Sequence, residues 1–245
     1  MVAISAAAAS TAQAAPEFYH CAFVGGSHTM YEAGCLKILG GGGYNRVSLA
    51  VAEKMTFSSK IGASVLAGVE TIKCTGGSSS GSIVGPTGVE KVVVVLTGCT
   101  DPKGAGCKVN TPSAAAGEIV TAKLKGKLGA VAEAEAKSKA GVSLEPETSG
   151  SREYTTVEGS CLLGGEPVPV RFKTTTSRII GEITPVDVFS TTGELIFKKS
   201  GSGQAIKTFE GAGETNNTLE AGGSQLSVES LSNTLTLAEM LEVLW

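Results

Sequence analysis

From Val65 to Leu237 one pattern recurs along the chain. A short apolar or β-branched stretch is followed by glycine, proline or a Ser/Thr cluster, at spacings of about 8 to 20 residues. A chain punctuated in this way does not sustain long amphipathic helices, but it can supply many strands to an antiparallel sheet. The stretches include Val65-Leu66, Thr71 to Cys74, Val92 to Leu96, Lys123 to Leu128, Gly141 to Leu144, Tyr154 to Glu158, Val168 to Phe172, Ile179 to Ile183, Glu194 to Phe197, Ile206 to Phe209, Leu226 to Val228 and Thr234 to Leu237. Composition agrees: 33 glycines, 5% aromatics and only 18% charged residues, below the usual quarter. The expected fold is mainly β, an antiparallel β-sandwich or barrel over residues 47–245. An echo between Gly81-Ser82-Ile83-Val84-Gly85-Pro86 and Gly181-Glu182-Ile183-Thr184-Pro185 leaves room for two similar halves.

Three segments need separate readings. Val92 to Leu96 is an unbroken β-branched run, as expected of a strand buried on both faces. Ala130 to Ala140 is rich in helix-forming residue types, but its Val131, Glu133, Glu135, Lys137 and Lys139 alternate with alanine. That is the strand period, and a strand entering an exposed turn is expected, with a single helix as the alternative. Gly76-Gly77-Ser78-Ser79-Ser80-Gly81 and the Gly40 to Gly43 run lack the Lys-Ser/Thr of a phosphate loop and read as flexible linkers.

Six cysteines, an even number, point to a disulfide-stapled fold and an oxidising compartment. Cys99 and Cys107 flank the turn-rich 101–106 stretch and are expected to pair locally. Cys21 and Cys35 share the N-terminal segment, which leaves Cys74 with Cys161. On loop-closure entropy the last bond, at about 4.5 kcal/mol, should dominate stability. Free buried thiols are the alternative. A zinc site is not expected, because no close Cys-x2-Cys knuckle is present, although His20, Cys21, His28 and Cys35 supply a Cys2His2 set of four ligands in one segment.

The N-terminus divides in two. Residues 1–15 are apolar and small, carry an A-x-A site at Ala12-Gln13-Ala14, and precede the first Lys or Arg, Lys37. They read as the tail of a signal peptide whose start lies upstream, or as a plain alanine-rich leader. Residues 16–46 hold both histidines and Tyr19, Tyr31 and Tyr44, and are expected to form a small Gly/Tyr-rich appendage closed by Cys21 and Cys35. No apolar stretch approaches the about 20 residues of a membrane-spanning helix.

Chemistry is sparse. No histidine follows residue 46, so a nucleophile–histidine site in the body has no base. All acidic residues except Asp101 and Asp187 are glutamate, which disfavours calcium loops. Glu133 and Glu135 share a face if that stretch is a strand, but paired glycosidase carboxylates also need an aromatic-lined cleft, and the single Trp is Trp245. A net charge of −3 without a basic stripe excludes nucleic acid as an expected partner. Asn216-Asn217-Thr218 is a glycosylation sequon. Tyr19, Tyr31 and Tyr44 form the one candidate binding surface. No catalytic residue, metal or cofactor is assigned.

Phe18-Tyr19-x-Cys21, Gly42-Gly43-Tyr44, Phe57-Ser58-Ser59-Lys60, Gly81-x-Ile83-x-Gly85-Pro86, Leu96-Thr97-Gly98-Cys99 and Ala115-Ala116-Gly117-Glu118-Ile119-Val120-Thr121 give the chain a recognisable signature. It resembles a group of predicted exported proteins from soil actinobacteria over most of residues 18–237. That resemblance implies export and β architecture and carries no catalytic activity. The expectation is therefore a secreted or cell-surface protein with a non-catalytic structural or adhesive role at the cell envelope. Its partner would be a cell-wall or surface polysaccharide or a protein. A carbohydrate-binding module and a carboxylate-dependent hydrolase are the alternatives.

Overall fold

The structure, a computed structural model, describes residues 15–26, 30–40, 43–67, 71–101, 107–133, 139–163, 166–175, 178–201, 203–210, 212–213, 219–221, 224–230 and 233–245. The Ala12-Gln13-Ala14 site, His28, Glu135 and the 216–218 sequon lie outside these residues.

The described residues form strands and no helix. The first seven are β1 (Glu17–Phe23), β2 (Tyr44–Ser48), β3 (Lys54–Ile61), β4 (Ser64–Ala67), β5 (Thr71–Cys74), β6 (Gly76–Val84) and β7 (Gly88–Thr97). Next come β8 (Thr100–Asp101), β9 (Cys107–Asn110), β10 (Ile119–Val120), β11 (Leu124–Glu133), β12 (Lys139–Pro146), β13 (Glu153–Leu163) and β14 (Glu166–Thr175). Then follow β15 (Ile179–Thr184), β16 (Ser190–Ile196), β17 (Lys199–Ser200), β18 (Gly203–Gln204) and β19 (Ile206–Phe209). The last are β20 (Ala212–Gly213), β21 (Leu219–Ala221), β22 (Ser224–Ser230) and β23 (Asn233–Leu244).

Two rings of antiparallel strands result. The first runs β7-β6-β3-β23-β16-β15-β12-β11 and closes where β11 pairs back onto β7, Leu124 opposite Val92 and Lys127 opposite Gly88. The second is the closed barrel β13-β14-β21-β22-β4-β5-β8-β9. The rings do not divide the chain into sequential halves. The chain leaves β3 of the first ring for β4 and β5 of the second, then returns to β6 and β7, and it goes on alternating up to β23. One cluster of buried side chains, from Met55, Val92 and Leu144 to Ile72, Val109 and Val157, runs through both.

Register fixes the two ends of the first ring. Ile61, Gly76, Thr97, Pro146, Ile179 and Asn233 lie at one end, where the chain passes to and from the second ring. The opposite, free end carries the connections at 49–53, 85–87 and 185–189 and the C-terminal part of β23. At that end β1 pairs with β23, Phe18 opposite Val243, so the cysteine-closed N-terminal segment is joined to the main sheet through its first strand. Phe18 is buried in the core, and β2 extends the sheet by one more strand.

Inward and outward faces alternate as the pleat requires. On β3, Met55, Ser59 and Ile61 are buried while Lys54, Thr56, Ser58 and Lys60 are exposed. On β23, Asn233 and Leu235 are buried while Thr234 and Thr236 are exposed. Apolar inside and polar outside is the reverse of a membrane-spanning barrel, and no described helix is long and apolar enough to cross a membrane. Val92 to Leu96 is not buried on both faces as expected. A register shift between Ser80 and Ser82, with Lys91 at φ 53°, turns Val92, Val94 and Leu96 inward and leaves Val93 and Val95 half-buried outside.

The disulfides correct two expected pairings. Cys21–Cys35 is present, but Cys74 bonds Cys99 and Cys107 bonds Cys161, instead of Cys74 with Cys161 and Cys99 with Cys107. Strand register is the reason. Lys73 lies opposite Thr100, which sets Cys74 across from Cys99. Glu158 lies opposite Asn110, which sets Cys161 across from Cys107. In the β8–β9 hairpin Cys107 faces Asp101, two positions out of step with Cys99, and a diagonal neighbour is about 7–8 Å away. All four half-cystines are buried in the second ring.

Candidate functional site

An eight-stranded ring has an interior just wide enough to be filled by side chains or to hold one small ligand. The first ring leaves a cavity of about 160 Å³. Its wall is built by the inward positions of successive strands: Phe57 and Ile61 from β3, Ile83 from β6, Val92, Val94 and Leu96 from β7, Val142 and Leu144 from β12, Ile179 and Ile183 from β15, Leu195 from β16, and Leu235 and Leu237 from β23. Phe18, Leu241 and Val243 close the free end, and Leu66, Ile119, Tyr154 and Leu219 close the end toward the second ring. Phe57, Val94, Leu96, Ile183 and Leu195 point inward yet are only partly buried; the surface they keep faces this space.

The local cause of the cavity is a strand made of small residues. Gly76 to Gly81, expected as a linker, is the first part of β6 and lies between β3 and β7. Its inward positions Ser79 and Gly81 add almost no volume. A Cβ on Gly81 would meet the Phe57 ring at 2.7 Å and Val92 Cγ2 at 2.9 Å, so this position must stay bare for Phe57 to lean across it. Gly193 on β16 is a second small wall residue. Close-packed cores keep few voids larger than a water, whereas a dry apolar cavity of about 150 Å³ admits a benzene-sized ligand.

Few polar groups touch this space, and most are served. Ser59 and Ser79 hydroxyls bond each other at 2.6 Å. The Tyr154 hydroxyl donates to the Leu144 carbonyl, and burial pushes its phenol well above the ordinary tyrosine range, so it stays protonated. Thr155 Oγ1 donates to the Val120 carbonyl at 2.8 Å, and Phe197 N–H donates to Ser230 Oγ at 3.4 Å.

Two buried carboxylates, Glu182 and Glu242, are held in ion pairs. Glu182 sits between Lys198 at 2.9 Å and Lys139 at 3.1 Å. Burial raises its pKa, but the two ammonium groups outweigh that and hold it below the usual carboxylate range. Glu242 alternates with the inward Leu241 and Val243 and meets Arg46 Nη1 at 3.1 Å. Burial pushes its carboxyl up, Arg46 opposes, and Asp187 adds to the rise. Neither arrangement presents two carboxyls across an aromatic cleft. The Glu133 side chain and Glu135 lie outside the described residues.

The tyrosines expected as a binding surface are half-buried and engaged in packing. Tyr31 is bridged to Tyr44 and to Ile38, and the Arg46 guanidinium lies 4.9 Å over its ring. Tyr44 packs edge-on against Phe23 at 5.2 Å. Tyr19 lies on β1 opposite Ser48, and burial with the Glu17 carboxylate raises its phenol. Tyr31 and Tyr44 are thus brought together as supports for the Cys21–Cys35 segment, with Tyr31's face covered. His20 lies 3.8 Å from Glu53. Among the described residues no three His, Cys, Asp or Glu side chains converge on a metal site.

The cavity itself was not anticipated from the sequence; the one signal for it was a run of glycine and serine flanked by strands. Compared with protein-family models, with curated proteins and with solved structures, the chain matches none.

Proposed function

We propose that this is an exported, non-catalytic β-barrel protein that holds one small apolar molecule inside its first ring. The observation that carries the reading is the 160 Å³ aliphatic cavity enclosed by eight strands. Export is supported by three disulfides, which persist in oxidising compartments, and by the leader and the resemblance described above.

The test is calorimetric titration with benzene, a ligand of the cavity's own size. Saturable one-site binding is expected in the native protein. Val94→Phe, which places a ring in the cavity, is expected to weaken it about tenfold or more while thermal stability is kept. Equal binding by both proteins would place the probe elsewhere and remove the proposal.

A structural or adhesive role at the envelope is a second reading, favoured by a separate observation. Every large apolar side chain exposed among the described residues sits on three connections at or beyond the free end of the first ring. Phe23 (70% exposed) ends β1, Val24, Met30, Leu36 (62%), Ile38 (69%) and Leu39 follow it before β2, Val51 (82%) lies between β2 and β3, and Val188 between β15 and β16. Between Phe23 and Gly43 only Glu32 and Lys37 are charged carboxylate or ammonium groups. A clustered apolar tip of low charge over half-buried Tyr31, Tyr44 and Trp245 suits insertion into a lipid interface. Co-sedimentation with phosphatidylglycerol–phosphatidylcholine vesicles should retain the native protein and blue-shift Trp245 emission. Phe23→Ser with Ile38→Ser should weaken retention about tenfold or more. No retention at millimolar lipid would end this reading.

A further inference from the structure

Two polar side chains of the cavity wall find no hydrogen-bond partner among the described residues. Ser64 and Asn233 stand where two passages between the rings run side by side, with Asn233 opposite Ile61 and Ser64 opposite Ser230. Asn233 shares the inward face of β23 with Leu235 and Leu237, and Ser64 shares the inward face of β4 with Leu66; all five line the cavity. Ser64 is 4% and Asn233 5% exposed. Neither Ser64 Oγ nor Asn233 Oδ1 has a hydrogen-bond partner among the described residues. Buried polar atoms are nearly always paired, so two orphans at one end of an otherwise apolar cavity ask for a partner that the described residues do not supply. An amide oxygen accepts only, and a hydroxyl both donates and accepts. The group that satisfies both must therefore carry a donor. It must also be neutral, because the one carboxylate or ammonium residue of the described wall, Glu242, belongs to the opposite end and is engaged by Arg46, and the Tyr154 phenol stays protonated.

We propose that the cavity takes a neutral amphiphile with a single hydroxyl, a small aliphatic alcohol. Its O–H donates to Asn233 Oδ1 and accepts from Ser64 Oγ, while its apolar body lies among Leu235, Leu237 and Ile83. The inference rests on the reading of the first ring as a ligand holder and goes further by naming the ligand's polar end and its orientation.

The experiment compares pentan-1-ol with its isomer 1-methoxybutane as competitors of benzene, read by calorimetry. The two have the same atoms, and only the alcohol can donate. In the native protein the alcohol is expected to compete about tenfold better, because the ether leaves Asn233 Oδ1 unpaired. Asn233→Leu removes the acceptor that only the alcohol can serve and should bring the alcohol-to-ether ratio close to one; Ser64→Ala removes a donor open to both competitors and should weaken both while leaving the ratio near its native value. A ratio unchanged in Asn233→Leu would overturn the assignment, and the native comparison needs neither variant. Equal competition by alcohol and ether would overturn the assignment of the polar end, with water serving Ser64 and Asn233, and would leave the apolar cavity reading intact. Failure of benzene to bind at all would instead remove the ligand-holding function on which the assignment rests.

Discussion

Replacing Cys107 and Cys161 together by alanine is expected to lower the unfolding free energy by about 4 kcal/mol, the closure entropy of a loop of this length. The bond joins residues 54 apart, against 25 for Cys74–Cys99 and 14 for Cys21–Cys35. The same reasoning gives about 3.5 and 3 kcal/mol for those two, so the order of losses is itself a test. Packing sharpens the contrast. Both long-loop disulfides are buried in the second ring beside Leu66, Ile72, Val109 and Val157, among short strands that offer little other apolar volume. Cys21–Cys35 closes a segment whose neighbours Phe23, Leu36 and Ile38 are exposed. Urea unfolding of the three double variants checks this. A loss from Cys21–Cys35 equal to or larger than that from Cys107–Cys161 would show that the second ring does not depend on its staples. Domain-scale stability is only about 5–15 kcal/mol, so the Cys107/Cys161 variant should unfold well before the native protein.

The second large effect is expected at Arg46. Glu242 has a fully buried side chain and, among the described residues, no partner other than the Arg46 guanidinium, which is itself partly exposed and stacks on Tyr31 at 4.9 Å and Phe189 at 5.3 Å. Arg46→Met keeps most of the stem's packing and leaves a buried carboxylate alone, a change that costs about 3 kcal/mol near neutral pH. The sign of the pH dependence follows from the raised carboxyl. Its folded-state pKa lies above the ordinary glutamate value, so the folded protein binds the proton more tightly than the unfolded chain. Stability from this group is therefore greatest below the ordinary glutamate pKa and falls as pH rises toward the raised value. Removing Arg46 takes away the opposing influence and enlarges that fall. Arg46→Met should be mild at pH 4 and severe at pH 8, and adding Glu242→Gln should recover most of the loss at pH 8. A pH-independent loss would assign the effect to stacking on Tyr31 and Phe189.

The β architecture was legible because turn residues and β-branched runs repeat at strand spacing, and period-2 patterning survives in barrels as it does in sandwiches. Several strands were not legible. β6 reads as linker because glycine and serine are poor strand formers on their own; only its place between β3 and β7, with Phe57 lying over Gly81, makes it a strand. Val92 to Leu96 reads as doubly buried because valine is equally at home on a half-buried outer face. The disulfide partners were hidden because pairing depends on cross-strand register. Cys74 meets Cys99 through the offset that sets Lys73 opposite Thr100, and no spacing within the sequence encodes that offset. The cavity was hidden for a related reason, since a void is the difference between what the ring can hold and what its inward residues supply.

The alternation of the chain between the rings has a temporal consequence. β23 lies between β3 and β16 in the first ring, and β22 between β21 and β4 in the second. Neither circle can close until these late strands are available, however long the earlier ones have been synthesised. A nascent chain of this kind stays open through most of its emergence. Its strand edges wait for β22 and β23, and the cysteines Cys74, Cys99, Cys107 and Cys161 are held in their final register only as the rings close around them.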